Sequence, residues 1–417
     1  MRSRHLLNQG NRKRLKVCFF GHFGMFNSGN ESTFQAILFH LQRLVPDAEI
    51  TCICDHPEVV AATYNIEAIP ITSVVVKPLW LLGHPIARFL RKIVIGIPSE
   101  VYRWLAGIRI LKSMDVFIVP GTGLLTDAYG LMGWGPYNLF KWSLIARMCR
   151  CKVLFVSVGA GPVHSALGKY FVKAALSLAD FRSYRDKTSL EYLKSIGFST
   201  NSDRVYPDLA FSFPEALMPA QNYNTGRRRV VGIGLMEDAR RYGTATPGEA
   251  VYDVYLNNLL GFAEWLLSQG YDIRLLIGDI ADKPVAEEFR SLLRRRLGIY
   301  DQDRVFDEPI VTVEQILSQL AATDIVVATR FHNVLLALLL EKPVIAISFH
   351  HKCASLMEEM GLSDYCQDIN HIEVGRLVKQ FQDLERNAEN LKPVIRQKVE
   401  QSCKALDEQY GFIFKGV

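Results

Sequence analysis

Residues Asp324 to Leu362 read DIVVATRFHNVLLALLLEKPVIAISFHHKCASLMEEMGL, and the fold class follows from how this stretch alternates. Ile325-Val326-Val327-Ala328 is a short, apolar, β-branched run, which predicts a buried strand. Apolar residues then recur at Val334, Leu335, Leu338 and Leu339 with helical spacing, so strand passes into helix across Thr329-Arg330-Phe331-His332. Lys342-Pro343 stops that helix, Val344 to Phe349 reads as a second buried strand, and His350-His351-Lys352 opens another helix ending near Gly361. Two strand-to-helix junctions in succession predict a parallel sheet. In an open parallel sheet, ligands bind beyond the carboxyl ends of the strands, where helix N-termini offer free N–H groups to an anion. Arg330, His332, His350, His351 and Lys352 fall at those ends. One histidine there is ordinarily a cap and one lysine a solvated charge. Their convergence between apolar elements predicts a site for an anionic substrate.

The alternation extends outward in both directions. Lys16 to Phe20 reads as a first strand, followed by the loop Gly21 to Glu31 and a helix to about Val45, with the next strand at Ala48 to Cys54. Strand and glycine-rich loop recur at Asp115 to Val119 with Gly121-Thr122-Gly123, and at Lys152 to Val158 with Gly159-Ala160-Gly161. Glycine directly after a buried strand lets backbone approach a ligand; a tight turn explains one such loop, and repetition predicts a lined cleft. Pro214 to Arg229, rich in Pro, Asn and Gly, divides the chain before a fresh strand at Val230. Helices at Tyr252 to Ser268, Val285 to Leu297 and Val313 to Ala322 alternate with a strand at Ile273 to Ile277. A last helix is expected from Pro393, a residue suited to the first helical position, to about Leu406. The expected architecture is α/β, with two doubly wound parallel-sheet domains facing a cleft. A basic arm covers 1–15, the first domain 16–214, the second 229–390, and a C-terminal helix and tail 391–417.

At 417 residues the chain can fill two cores, and 49% hydrophobic against 22% charged residues is globular composition. The net charge of +5 is small, and Arg2, Arg4, Arg12, Lys13, Arg14 and Lys16 lie in an arm without an acid, so the body is near neutral and no nucleic-acid partner is expected. The eight cysteines form no C-x-x-C pair, and Cys52 and Cys54 share one strand face, which predicts a reduced, cytoplasmic protein without a zinc site. The apolar run Val17 to Phe20 is too short for a signal peptide, and no run reaches the roughly 20 apolar residues of a membrane helix. Pro78 to Lys112 mixes Trp80, Leu81, Phe89 and Trp104 with Arg88, Arg91, Lys92, Arg103, Arg109 and Lys112. It reads either as core helices with arginine on the wet face or as a segment lying on an anionic membrane, a contact that the basic arm reinforces.

Taken together, the chain resembles the polysaccharide pyruvyl transferase family from Lys16 to about Phe381. The residues that carry the likeness are Asn27, Gly29, Asn30 and Glu31; Gly121 to Leu125; Gly159 to Pro162; Tyr184-Arg185-Asp186; Pro207-Asp208; Gly278-Asp279; Arg330-x-His332; and Lys342-Pro343 through Lys352. The resemblance implies a fold like that of the two-domain, GT-B-like glycosyltransferases. It implies transfer of a pyruvyl group from phosphoenolpyruvate, as donor substrate and without a cofactor, to two hydroxyls of a polysaccharide or its lipid-linked oligosaccharide precursor, forming a cyclic ketal. Catalytic roles are implied for His332 and Arg330. Substrate contacts are implied for Lys352, His351, Asn27, Gly29, Asn30, Gly121, Thr122, Gly123, Gly159, Gly161, Arg185 and Asp208, with the donor on the second domain and the acceptor mainly on the first. Two positions depart from the family pattern: its Gly-Asp in the first loop is Gly29-Asn30 here, and its Arg after the first strand of the second domain is Met236, with Arg240 and Arg241 nearby.

The residue types suit that chemistry on their own terms. Making a ketal from an enol phosphate requires a proton on the methylene carbon, stabilisation of a cationic centre, attack by a hydroxyl and departure of phosphate. His332 is the candidate acid/base, Arg330 suits bidentate oxyanion recognition, and Lys352 supplies a point charge. No carboxylate cluster points to a metal. A GT-B-type glycosyltransferase using a nucleotide-sugar donor is the alternative, and a non-catalytic glycan-binding protein the third reading. The expected place of action is the cytoplasm, at the inner face of the membrane when the acceptor is lipid-linked.

Overall fold

The computed structural model describes residues 14–72, 96–127, 134–219, 228–237, 248–297, 302–349 and 351–415. His350, Arg240, Arg241, the arm through residue 13 and the part of Pro78 to Lys112 that precedes Gly96 lie outside them. The first domain runs β1 (Lys16–Phe20), α1 (Ser28–Leu44), β2 (Glu49–Cys54), α2 (Pro57–Tyr64), β3 (Glu67–Pro70), α3 (Ile97–Leu111), β4 (Val116–Pro120), α4 (Trp134–Met148), β5 (Lys152–Val158), α5 (Ala166–Ser177), β6 (Phe181–Tyr184), α6 (Lys187–Ser195) and β7 (Arg204–Val205). The second runs β8 (Val230–Leu235), α7 (Gly248–Ser268), β9 (Asp272–Ile277), α8 (Lys283–Leu297), β10 (Val305–Phe306), α9 (Val313–Ala321), β11 (Ile325–Ala328), α10 (Phe331–Leu339), β12 (Val344–Ser348), α11 (His351–Glu359), β13 (Cys366–Asp368) and α12 (Val374–Lys415).

Both sheets are parallel throughout, as a chain in which helices separate successive strands requires. The central strands read as unbroken apolar runs because helices cover both faces: every residue of β4, β8, β11 and β12 is buried. Strand order is β3-β2-β1-β4-β5-β6-β7 in the first sheet and β10-β9-β8-β11-β12-β13 in the second. The winding direction therefore reverses between β1 and β4, and again between β8 and β11. Helices leave to opposite sides at such a reversal and open a crevice beyond the strand ends. The loop after β1 and the Thr329 to His332 junction after β11 sit at these two reversals, so topology aims them at one another.

The last helix differs from expectation. Pro393 does not begin it; Val374–Lys415 is one helix of 42 residues with Pro393 inside. Its first half packs on the second domain, where Phe381 meets Phe262 and Trp265, and its second half returns to the first domain. There Tyr410 stacks on His40 at 4.4 Å and its hydroxyl lies 2.8 Å from Ser212 Oγ, while Gln409 Nε2 donates to Ser157 Oγ at 3.1 Å. An interior proline costs a helix about 3 kcal/mol, and burial of Ile395, Val399, Leu406 and Tyr410 on the far side offsets it. One apolar core consequently continues from the α1 face of the first sheet into the second domain.

Candidate active site

The site is built around the end of β11. Thr329 is buried, and its hydroxyl lies 2.9 Å from that of Tyr255, which also accepts the Met236 N–H at 3.2 Å. Arg330 occupies the N-cap of α10 in an extended conformation with no side-chain capping bond. Its guanidinium instead turns to Asp282, donating from Nε to Oδ2 at 2.8 Å and from Nη2 to Oδ1 at 2.5 Å. Asp282 is fully buried and also accepts the Glu237 N–H. Burial pushes its carboxyl above the ordinary range against the pull of Arg330. The fork expected to clasp an oxyanion is thus engaged by an internal carboxylate, and Arg330 ties the end of β11 to the turn after β9.

His332 points the other way, across the cleft. Its ring lies so close to the start of α1 that a Cβ on Gly29 would stand 2.1 Å from both Cε1 and Nδ1. Glycine at position 29 is therefore what lets the two helix N-termini meet. The ring's Nε2 is 3.6 Å from Asp208 Oδ2, a distance beyond a hydrogen bond, so the contact is electrostatic. Asp208 belongs to the first domain, is 3% exposed and lines the recess beside His332. It accepts Arg185 Nη1 at 3.1 Å and the Ala210 N–H at 3.0 Å. Burial raises its carboxyl, but His332, Arg185 and the Ala210 N–H together hold it below the ordinary carboxylate range.

Arg185, at the end of β6, is also buried. Its guanidinium lies over the Phe331 ring at 5.0 Å and so near the backbone that a Cβ on Gly159 would come within 2.7 Å of Nε. Lys352, in the first turn of α11, reaches the same recess, which Arg185, Asp186, Asp208, Phe331 and Glu359 help to line. Burial, then the charge of Arg185, lowers the Lys352 ammonium to about 7. His351 is lowered by burial and by Lys352. A roomier interdomain hollow of about 370 Å³ lies among Met25, Val59 and Val311 and is lined by no Arg or Lys, whereas the recess of about 20 Å³ holds Arg185 and Lys352 together with Asp186, Asp208 and Glu359.

The remaining expected contacts divide in two. Asn27 caps α1, its Oδ1 accepting the Gly29 and Asn30 N–H groups, and its Nδ2 donates to Asp279 of the second domain at 2.6 Å. Asn30 donates from Nδ2 to the His22 carbonyl at 2.9 Å. These two residues shape the loop and tie the domains. Gly121 has room for no Cβ beside the Ser157 carbonyl, and Gly161 takes a φ of +81 against Tyr192, so both serve tight packing. Gly123 has no atom within 4 Å of its Cβ position and Thr122 has a buried hydroxyl without a partner. The structure thus brings His332, Asp208, Arg185, Lys352, Gly29 and Gly159 together. Sequence reading missed Asp282, Phe331 and the fully buried Asn333, whose amide is wedged against Gly278 and Gly234 and has no hydrogen-bond partner. The glycine of Gly278-Asp279 was the only trace of that contact.

A family model described as polysaccharide pyruvyl transferase matches residues 27–351, a span that begins at the α1 cap and ends at the α11 start. The chain belongs to the polysaccharide pyruvyl transferase family. The match places it among proteins of polysaccharide modification and makes it a transferase. The amylovoran biosynthesis protein AmsJ of Erwinia amylovora is 22% identical over 304 residues, covering 70% of each chain. The fold is that of GT-B-like proteins. The UDP-GlcNAc 2-epimerase of Neisseria meningitidis, solved with UDP-GlcNAc bound, superposes with a TM-score of 0.56 at 11% identity, over 95% of this chain and 100% of that one. The lipopolysaccharide outer core galactosyltransferase WaaB gives 0.52 at 14% identity, over 97% and 100%. At these identities the likeness concerns architecture alone.

Proposed function

We propose that this transferase moves the pyruvyl group of phosphoenolpyruvate onto two hydroxyls of one sugar in a polysaccharide or its lipid-linked precursor, closing a cyclic ketal and releasing phosphate. The observation that carries this reading is the meeting of Arg185 and Lys352, from opposite domains, in one recess beside the contact between Asp208 and His332. The donor bears a carboxylate and a phosphate, and Arg185 and Lys352 lining this narrow recess, of about 20 Å³, suit one anionic end of such an ion. A proton added to the methylene carbon makes it a methyl group and leaves a cationic centre on the carbon that bears the carboxylate. One sugar hydroxyl bonds there, the C–O bond to phosphate breaks, and the second hydroxyl closes the ring. Of the two hydroxyl protons, one balances the proton taken up by carbon and the other departs with phosphate. His332 serves the proton transfers, and Asp208, held ionised, stabilises positive charge in the recess.

Incubated with phosphoenolpyruvate and its host's glycan, the purified protein is expected to release phosphate in step with a pyruvyl gain in acceptor mass. Release of nucleoside diphosphate from a nucleotide sugar, with none of the first reaction, makes it a glycosyltransferase instead. Among the described residues no helix is long and apolar enough to cross a membrane. We assign the reaction to the cytoplasmic side, where the free cysteines stay reduced.

Lys352 gives the reaction a pH signature. A lysine is charged below its pKa and neutral above it, and this one is lowered to about 7. Donor affinity is expected to weaken as pH rises through about 7, by up to roughly tenfold per unit above about pH 7.5. Lys352→Arg keeps its charge through that window and should flatten the profile. Donor affinity that stays level to about pH 9 in the unmodified protein removes Lys352 from donor binding.

A further inference from the structure

We propose that the outward face of α3 docks the first domain on an anionic lipid bilayer. The helix is asymmetric in an uncommon sense. Its inward side is settled: Trp104 Nε1 donates to Tyr137 at 3.2 Å, Glu100 gathers Tyr137, Lys141 and Arg103, and Gly107 lies too close to Ile145 and Trp142 for a Cβ. A helix anchored this way ordinarily turns polar residues outward. Here Ile97, Val101, Tyr102 and Leu105 are 59%, 53%, 54% and 52% exposed. They recur at steps of four, one and three, so they form one stripe over about 12 Å of helix.

The stripe continues into cations. Beyond Leu105 the exposed residues of the same helix are Arg109 and, at its end, Lys112, and no acidic residue of α3 is exposed. Lys112 then borders a surface hollow shared with Arg150 and Lys152, whose one acid, Asp115, is half-buried and accepts the Lys16 backbone N–H, and exposed Met148 lies at the end of α4. Apolar side chains with a tyrosine, followed by lysine and arginine in excess over one half-buried acid, form the composition of a helix that lies in a lipid interface. The cationic half commits the partner: it complements phosphate headgroups, whereas a neutral apolar face alone would fit a second copy as well. Because α3 runs antiparallel to β4, its apolar end lies at the carboxyl edge of the sheet, on the side where the cleft opens. A lipid-linked glycan would thus be presented at the mouth of the site. The docking surface itself stands apart from the donor chemistry and is tested without substrate.

The full-length protein is floated with vesicles of phosphatidylcholine alone and of phosphatidylcholine mixed with phosphatidylglycerol, at low and high salt. Strong preference for the anionic vesicles is expected, with release by salt. Val101→Glu/Leu105→Glu should cut binding at least about tenfold, and Arg109→Glu/Lys112→Glu should cut it about thirtyfold at low salt and little at high salt. All four positions are exposed, so unchanged melting and unchanged phosphate release on a soluble acceptor are expected controls. Equal binding to both vesicles, or binding indifferent to both double substitutions, overturns the proposal. So does a dimer in light scattering that Val101→Glu/Leu105→Glu dissolves, which would make the stripe an interface between copies.

Discussion

His332→Ala is expected to lower turnover by about two to four orders of magnitude, the range lost when a general acid or base is removed. His332, at the α10 start, faces the first domain, with its Nε2 at 3.6 Å from an ionised, buried Asp208 and that atom without a hydrogen-bond partner. A buried polar atom left unpaired is costly in a folded protein unless a ligand completes it. The substitution also empties the space against Gly29, so donor binding and melting are measured on the same sample. Intact melting, intact donor affinity and lost turnover together identify a catalytic role. His332→Gln keeps bulk without an imidazole to take up and release a proton and should be nearly as inactive. Turnover within a few-fold of the unmodified protein in either variant removes His332 from the mechanism.

Gly29→Ala is the second large effect, and it arises from a single methyl group. The new Cβ would stand 2.1 Å from two ring atoms of His332, far inside any contact that atoms tolerate. Either the ring rotates away from Asp208 or α1 recedes from α10, and both displace the reacting group by about the ångström that costs roughly a hundredfold in rate. Overpacking of this kind also removes about 1–3 kcal/mol of stability. We expect kcat to fall by about a hundredfold, with little change in donor affinity if Arg185 and Lys352 bind the donor as proposed. Pairing Gly29→Ala with His332→Ala is the decisive measurement. If the glycine acts through the histidine, the double variant is no slower than His332→Ala alone; additive losses would show that Gly29 matters for another reason.

The strand-to-helix junctions were readable because their cause is local. Ile325 to Ala328 and Val344 to Ser348 are apolar over their whole length, Arg330 to Phe331 marks the junction, and a parallel sheet is the arrangement that buries such runs on both faces. The placing of His332 and Lys352 at strand ends followed from the same pattern, and so did the separation into two α/β halves.

What residues do at those ends was decided elsewhere in the chain. Arg330 suits an oxyanion by its residue type, but that Asp282, 48 residues away, accepts from its fork is set by the fold. Asp208 was implied as a substrate contact, and only the packing of the two domains shows it between Arg185 and His332. Pro393 obeyed the local rule for a helix start, and the fold overrode it because both halves of α12 bury apolar faces on different domains. The sequence by itself determined the alternation of strands and helices, the parallel sheets and the position of the cationic residues at strand ends, since periodicity and turn chemistry act within a few residues. Only the tertiary structure decided which charge meets which, and which glycine must stay bare for two helices to touch. Those outcomes depend on strand order and domain closure, where hydrophobic burial is indifferent to sequence separation and a buried charge takes whatever partner the packing brings.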